Sequence, residues 1–257
     1  MKIGFVTFCT EDWVGMMNNL VESVLEFSKH EITVFSLNFD YIHNNERVKN
    51  VRVDIDNTDY FHVCKMKIYS SINTEYDIGL ILDGDMVVTK EVDMIFEENY
   101  EKVIDSKYPL FAKHPHDPFS DTNKQSSVFS VLRQYTDKDP KMKYVYASFL
   151  FSKKNKWFLD EVYQLLCDNP PMAGEDEYLI NALLTKYEVD YDIGYNYLPN
   201  ATKENVDCYL DNTFLCQDLH DTYLKFSCPV KFYLFHGHLL KNCTEGKSII
   251  DRIKNKI

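Results

Sequence analysis

Apolar positions along the chain fall into two kinds of pattern. Some are short unbroken runs; others recur every three or four residues. Residues 2–10 form a first apolar run and predict a strand. Residues 14–29 place Met17, Leu20, Val21, Val24 and Leu25 on one face with polar residues opposite, the pattern of an amphipathic helix. Residues 31–37 predict a second strand, and the alternation over 51–55 a third. A helix over 60–72 then leads into Ile78-Gly79-Leu80-Ile81-Leu82. A run with no polar face belongs to a strand covered on both sides by helices. Strand, helix, strand, strand, helix, strand predicts an α/β sandwich with a mostly parallel sheet. Further on, the pattern gives a helix over 91–106, a strand over 108–113 and a polar, proline-containing loop over 115–123. A strand over 143–152 and a helix over 157–167 follow, the helix being stopped by Asn169-Pro170-Pro171. A helix over 175–187 and a late strand over 230–235, ending at His236-Gly237-His238, complete the reading. No internal repeat or low-complexity linker divides the chain.

Composition narrows the function classes. The chain has 257 residues, 45% hydrophobic and 26% charged, which is ordinary for a globular domain with a sizeable core. The net charge of -12 argues against a nucleic-acid backbone as partner, because phosphates call for Lys and Arg. A single nucleotide remains compatible if a bound cation offsets the repulsion. No apolar run of about 18 residues is present, so no membrane span is expected. The run at 3–8 is too short for a signal peptide. The seven cysteines are scattered, with no Cys-x-x-Cys pair, which fits a reduced compartment. The expectation is a soluble, cytoplasmic protein. The sequons Asn200-Ala201-Thr202 and Asn242-Cys243-Thr244 are read as chance matches.

The chemistry concentrates after the apolar run at 78–82, where Asp83-Gly84-Asp85 precedes Met86-Val87-Val88. Asp and Gly favour turns, so a simple strand end is one explanation. Two carboxylates at the end of a buried strand nevertheless need a positive partner. In open α/β sheets ligands bind beyond the carboxyl ends of the strands. A divalent cation on Asp85, and on Asp83, with a phosphorylated ligand on its other side meets both conditions. Asp83 is alternatively a contact to ribose or sugar hydroxyls. His236 offers an imidazole ligand, with His238 as its competitor. Such a mixed set suits Mn²⁺, whereas an all-oxygen site leans toward Mg²⁺.

These residues carry a resemblance. The first strand, the Lys-bearing helix and Leu82-Asp83-Gly84-Asp85-Met86 resemble the nucleotide-sugar-binding half of a GT-A glycosyltransferase, over roughly residues 2–241. His114-Pro115 and Asp176-Glu177 with Asn181 are similar to elements of glycosyltransferase family 6. Cys64-Lys65-Met66-Lys67-Ile68 resembles the basic residue and Met that this family carries before its metal strand, with Lys65 as the residue assigned a role. His236 with Lys241 beyond it resembles family 8, at a spacing that departs by about one residue. The resemblance implies a single GT-A domain over 1–257, with 1–90 as nucleotide-binding half and 91–257 as acceptor-binding half. It implies a UDP-sugar donor, Mn²⁺ or Mg²⁺, a saccharide or other hydroxyl-bearing acceptor, and transfer with retention of configuration. By the same resemblance His236 completes the metal site, and Lys65 and Lys241 reach the donor phosphates or sugar. Glu177 is the nucleophile or cation stabiliser, and Asp176 contacts donor or acceptor hydroxyls; in family 8 these two roles exchange.

Other candidates follow from position. Carboxylates at 175–177 also suit a helix amino terminus, without any chemistry. His114 stands in the loop after a core strand and is a candidate contact to an acceptor hydroxyl. Thr7 or Thr10, at the end of the first strand, is placed to hydrogen-bond a base, and Trp13 or a nearby Tyr to stack on it. A nucleotidyltransferase is a competing expectation, but the first strand is followed by Phe8-Cys9-Thr10-Glu11-Asp12, with no glycine-rich loop. A phosphatase using Asp-x-Asp near the amino terminus is disfavoured by Met86-Val87. A sugar-nucleotide-binding protein without transfer activity remains the non-enzyme alternative.

Overall fold

The computed structural model describes residues 1–113, 127–142, 144–168, 176–189, 194–197, 201–211 and 232–256. The elements run β1 (Ile3–Thr10), α1 (Val14–Phe27), β2 (Glu31–Leu37), β3 (Val48–Val53), α2 (Tyr60–Asn73), β4 (Ile78–Ile81), β5 (Met86–Val88) and α3 (Asp93–Asp105). They continue with β6 (Leu110–Lys113), α4 (Ser127–Tyr135), β7 (Val145–Ser152), α5 (Lys156–Asp168), α6 (Asp176–Lys186), β8 (Gly194–Tyr197), α7 (Lys203–Leu210), β9 (Leu234–His236) and α8 (Cys243–Lys254).

The main sheet has seven strands in the order β3-β2-β1-β4-β7-β6-β8. Only β7 runs against its two neighbours; every other pair is parallel. The expected α/β fold with a mostly parallel sheet is therefore observed. The sheet continues across residue 90, because β4 pairs with β7.

Alternation along β1 shows why both faces are covered. Phe5 and Cys9 pack with Met17, Leu20 and Val24 of α1 and with Ile95 and Val103 of α3. Val6 and Phe8 point the other way, into a core shared with Ile68 of α2, Phe158 and Val162 of α5, and Ile180 and Leu183 of α6. On β4, Ile78 and Leu80 join the first core and Ile81 the second. Each such fully buried side chain contributes about 1.5–3 kcal/mol. That anchoring holds the strand's carboxyl end in place even where polar groups follow it. Gly4 and Gly79 are register partners on β1 and β4. A Cβ at either would run into an aromatic ring, Tyr76 at Gly4 and Phe151 at Gly79. The pair of glycines lets those rings lie against the sheet.

A second, two-stranded ribbon pairs β5 with β9, antiparallel, with Met86 opposite His236. Val87 and Phe235 close a third core with Val206 of α7 and Ile249 and Ile253 of α8. The ribbon is fixed to α1 through Ser23, whose Oγ accepts from the Val88 amide at 3.1 Å.

The bounds of one strand shift. The third strand spans Val48–Val53 rather than 51–55. It is the sheet edge, and its register is set by main-chain pairing with β2 from Ile32 opposite Val48, not by a buried face. The expected loop at 115–123 lies outside the described residues. No helix among the described residues is long and apolar enough to cross a membrane.

Candidate active site

The strand order makes the site. From β1 the chain moves outward to β2 and β3, then returns so that β4 pairs on the other side of β1. The carboxyl ends of β1 and β4 thus form a topological switch point, where open α/β sheets leave a crevice. Here the crevice is a cleft of about 390 Å³. The end of β1 supplies Phe8, Cys9 and Thr10, and the turn after it Asp12 and Trp13. The end of β4 supplies Asp83, Gly84 and Asp85. The amino-terminal stretch of α2 supplies Tyr60, Val63, Cys64 and Lys67; Asp176 and Lys241 complete the wall.

The acid pair sits in a fixed turn. The Leu82 amide still donates to the Val6 carbonyl at 2.9 Å, and the Met86 amide donates back to the Asp83 carbonyl at 3.1 Å. The Asp83 carboxylate meets the ammonium of Lys67 at 2.7 Å. Lys67 is 5% exposed and also lies 3.6 Å from Asp176 Oδ2. Burial alone would lower the Lys67 pKa, but the carboxylates of Asp83 and Asp176 outweigh it and hold the ammonium charged. Asp176, the first residue of α6, is 5% exposed. Burial raises its carboxyl above the usual range, while Lys67 and the Cys64 thiol pull it down.

Asp85 stands apart from this triad. Burial, and then repulsion from Asp83, push its carboxyl up to about 6; Lys241 pulls it back. An acid held that far above its ordinary 3.8 is short of positive charge. His236 is the register partner of Met86, the residue after Asp85, and its ring stands edge-on to Tyr146 at 5.2 Å. Among the described residues no three His, Cys, Asp or Glu side chains gather into a set able to hold a metal ion by themselves. Asp83, Asp85 and His236 therefore do not form a ready-made three-ligand cage. Two carboxylates completed by ligand oxygens fit the donor chemistry of Mg²⁺ or Mn²⁺.

Glu177 turns away from the cleft wall and toward β7. Burial pushes its carboxyl up to about 7, while hydrogen bonds from Tyr144 and the Ala147 amide pull it down. Asn181, one turn further along α6, clamps the same strand: its side chain accepts from the Val145 amide at 3.0 Å and donates to the Val145 carbonyl at 2.8 Å.

Of the expected binding residues, Thr10, Asp83, Asp85, Asp176 and Lys241 border the cleft. Thr10 donates its hydroxyl to Asp12 at 2.5 Å. Thr7 does not border it: it is fully buried two residues behind Cys9, and its hydroxyl has no hydrogen bond among the described residues. Lys65 is likewise elsewhere, with its ammonium over the Tyr163 ring at 5.4 Å. His114 and the side chain of His238 lie outside the described residues. Lys67 is the residue that the sequence reading passed over. Tyr60, Val63, Cys64 and Lys67 repeat at helical spacing, which puts Lys67 on the cleft stripe and turns Lys65 about a hundred degrees or more off it. No family model matches the chain, and no curated protein matches it in sequence.

Proposed function

We propose that the chain is a metal-dependent glycosyltransferase of the GT-A type. It moves a hexose from a UDP-linked donor to a hydroxyl of a saccharide or other acceptor, with retention of configuration. The observation that carries this reading is the Asp83/Asp85 pair at the switch point, facing a cleft with more carboxylates than ammonium groups. A metal-free cleft of that charge repels a diphosphate, so its ligand must arrive with a cation. Asp85, with Asp83 beside it, would hold a divalent ion. When bound, the ion supplies charge stabilisation for the departing nucleoside diphosphate.

The chain's own residues supply the rest. Lys241, close enough to Asp85 to lower its pKa, is placed to steady the leaving phosphates. Trp13 and Tyr60, exposed on two sides of the cleft, offer planar surfaces to a base. Asp176 is the α6 carboxylate that borders the cleft and the better placed to accept from a sugar hydroxyl. Glu177 stands behind it, and a carboxyl near 7 suits a group that holds or passes a proton.

The test is a donor screen with Mn²⁺ and a panel of nucleotide sugars, reading released nucleoside diphosphate. Asp85→Asn is expected to lower turnover by about a hundredfold or more. Turnover that survives the substitution would remove the metal assignment. Donor binding, followed by quenching of Trp13 fluorescence, with no diphosphate released under any condition would favour the binding-protein reading. Trp157, the other tryptophan, is packed between Tyr108 and Tyr187, with its indole donating to the Lys107 carbonyl at 3.0 Å.

A further inference from the structure

We propose that the cleft selects a donor whose sugar is uncharged and excludes a sugar that carries a carboxylate. This rests on the reading of the cleft as a nucleotide-sugar site and names the class of sugar it takes. Two cations border the cleft among the described residues, Lys67 and Lys241. Lys241 faces Asp85, on the side assigned to the phosphates. Lys67 is the deep cation, and it is already shared between two carboxylates, Asp83 at 2.7 Å and Asp176 at 3.6 Å. A third carboxylate arriving there finds no spare ammonium and becomes a buried charge without a partner. A hydroxyl finds the opposite. Asp176 Oδ2 is buried, borders the cleft and accepts no hydrogen bond among the described residues. Although 3.6 Å from the Lys67 ammonium, this oxygen keeps acceptor capacity, which a neutral sugar hydroxyl satisfies and a carboxylate does not. Discrimination is then built from a repulsive element as well as an attractive one.

Matched donor pairs that differ only at C6 test this. Titration calorimetry with Mn²⁺ would compare UDP-glucose with UDP-glucuronate, and UDP-galactose with UDP-galacturonate, with UDP alone as reference. The parent protein is expected to bind at least one neutral donor about tenfold or more tighter than its acidic twin. Asp176→Asn keeps the side-chain volume and releases Lys67 from one carboxylate, so the acidic donor should gain and the gap within the pair should close to about threefold or less. Equal affinities within both pairs in the parent protein would overturn the proposal. A gap left unchanged by Asp176→Asn, in a variant whose melting curve shows it folded, would overturn the assignment to Asp176. If Asp176→Asn does not fold, the parent comparison and the milder Asp176→Ser decide. UDP that fails to bind at all would instead remove the nucleotide reading, and this inference with it; UDP that binds while the pairs fail to separate removes the inference alone.

Discussion

The two ends of the same parallel strands make opposite use of charge. At the amino ends of β1, β2, β3 and β4, Lys2 and Lys49 interleave with Glu31 and Glu75 in a four-membered network at 2.5–3.3 Å. Lys153 closes on Asp77 beside it at 2.5 Å. Acids and bases are matched one for one, and the groups are partly exposed to solvent. Hydrogen bonds from Lys2 and Lys49 hold the Glu75 carboxyl down at about 2. At the carboxyl ends, Asp83 and Asp176 share the buried Lys67, Asp85 stands apart from it, and the acids outnumber the cations. There burial drives Asp85 up to about 6 and Glu177 up to about 7. One end is a solvated clasp. The other is kept under charge imbalance, which stability alone does not explain and a cationic ligand would relieve.

That contrast can be broken experimentally, beginning where the effect is largest. Lys67→Met strands the buried Asp176 and leaves the partly exposed Asp83 without its ion pair, and should cost about 3 kcal/mol or more in urea unfolding. A variant as stable as the parent would show that Asp83 and Asp176 do not depend on Lys67. Asp85→Asn should act in the opposite direction on the metal-free protein. The folded chain resists ionising Asp85 until about 6, whereas an ordinary carboxyl ionises from 3.8. Stability is therefore greatest below that window and falls as pH rises through it, by about 3 kcal/mol. At pH above the window, removing the charge should raise the melting temperature by about 5–10 °C, measured with chelator present. An unchanged or lower melting temperature would mean that Asp85 is not under strain. The same substitution should abolish any stabilisation by Mn²⁺ with UDP.

The smallest effect is expected at the matched end. Glu75→Gln should leave the urea unfolding midpoint nearly unchanged, as loss of an exposed ion pair does. Its sign with pH is also reversed. The contribution of Glu75 is present above its ordinary 4.5 and is lost as pH falls toward about 2. An acid titration of the unfolding midpoint separates the two ends, since one weakens the fold as pH rises and the other as it falls.

The elements most legible in the sequence are those that bury a full face. β2 occupies 31–37 as expected because six of its seven residues are buried, leaving no ambiguity of period. α2 and β4 follow for the same reason; the Asp59 side chain, not read as a cap, accepts from the His62 amide at 3.0 Å and fixes the start of α2. β3 was displaced because its central residues face water and carry no such signal. The sequence reading did not contain α4, β8, α7 and α8. Yet Asn242, read there as a chance sequon, caps α8 by accepting from the Thr244 and Glu245 amides. The acid pair was legible as local text, whereas its counter-charge was not. Lys65 and Lys67 are two residues apart, and only the helical stripe from Tyr60 through Cys64 tells them apart. The distinction between Asp176 and Glu177 is also a matter of direction: adjacent acids on α6 face the cleft and β7 respectively. No period in the sequence announces the β5–β9 ribbon, which joins residues 150 apart.

The ribbon has a consequence for the order of synthesis. Met86 has no strand partner until residues 234–236 have been made, and the core around Val87 is complete only when α7, β9 and α8 have joined it. A nascent chain carrying the whole first half, Asp83 and Asp85 included, would still lack the strand that steadies the segment following them. Contacts this distant in sequence form late. Competence at the switch point should therefore emerge only once residues 234–254 have been made, so that a product stalled before them carries the acid pair without the means to use it.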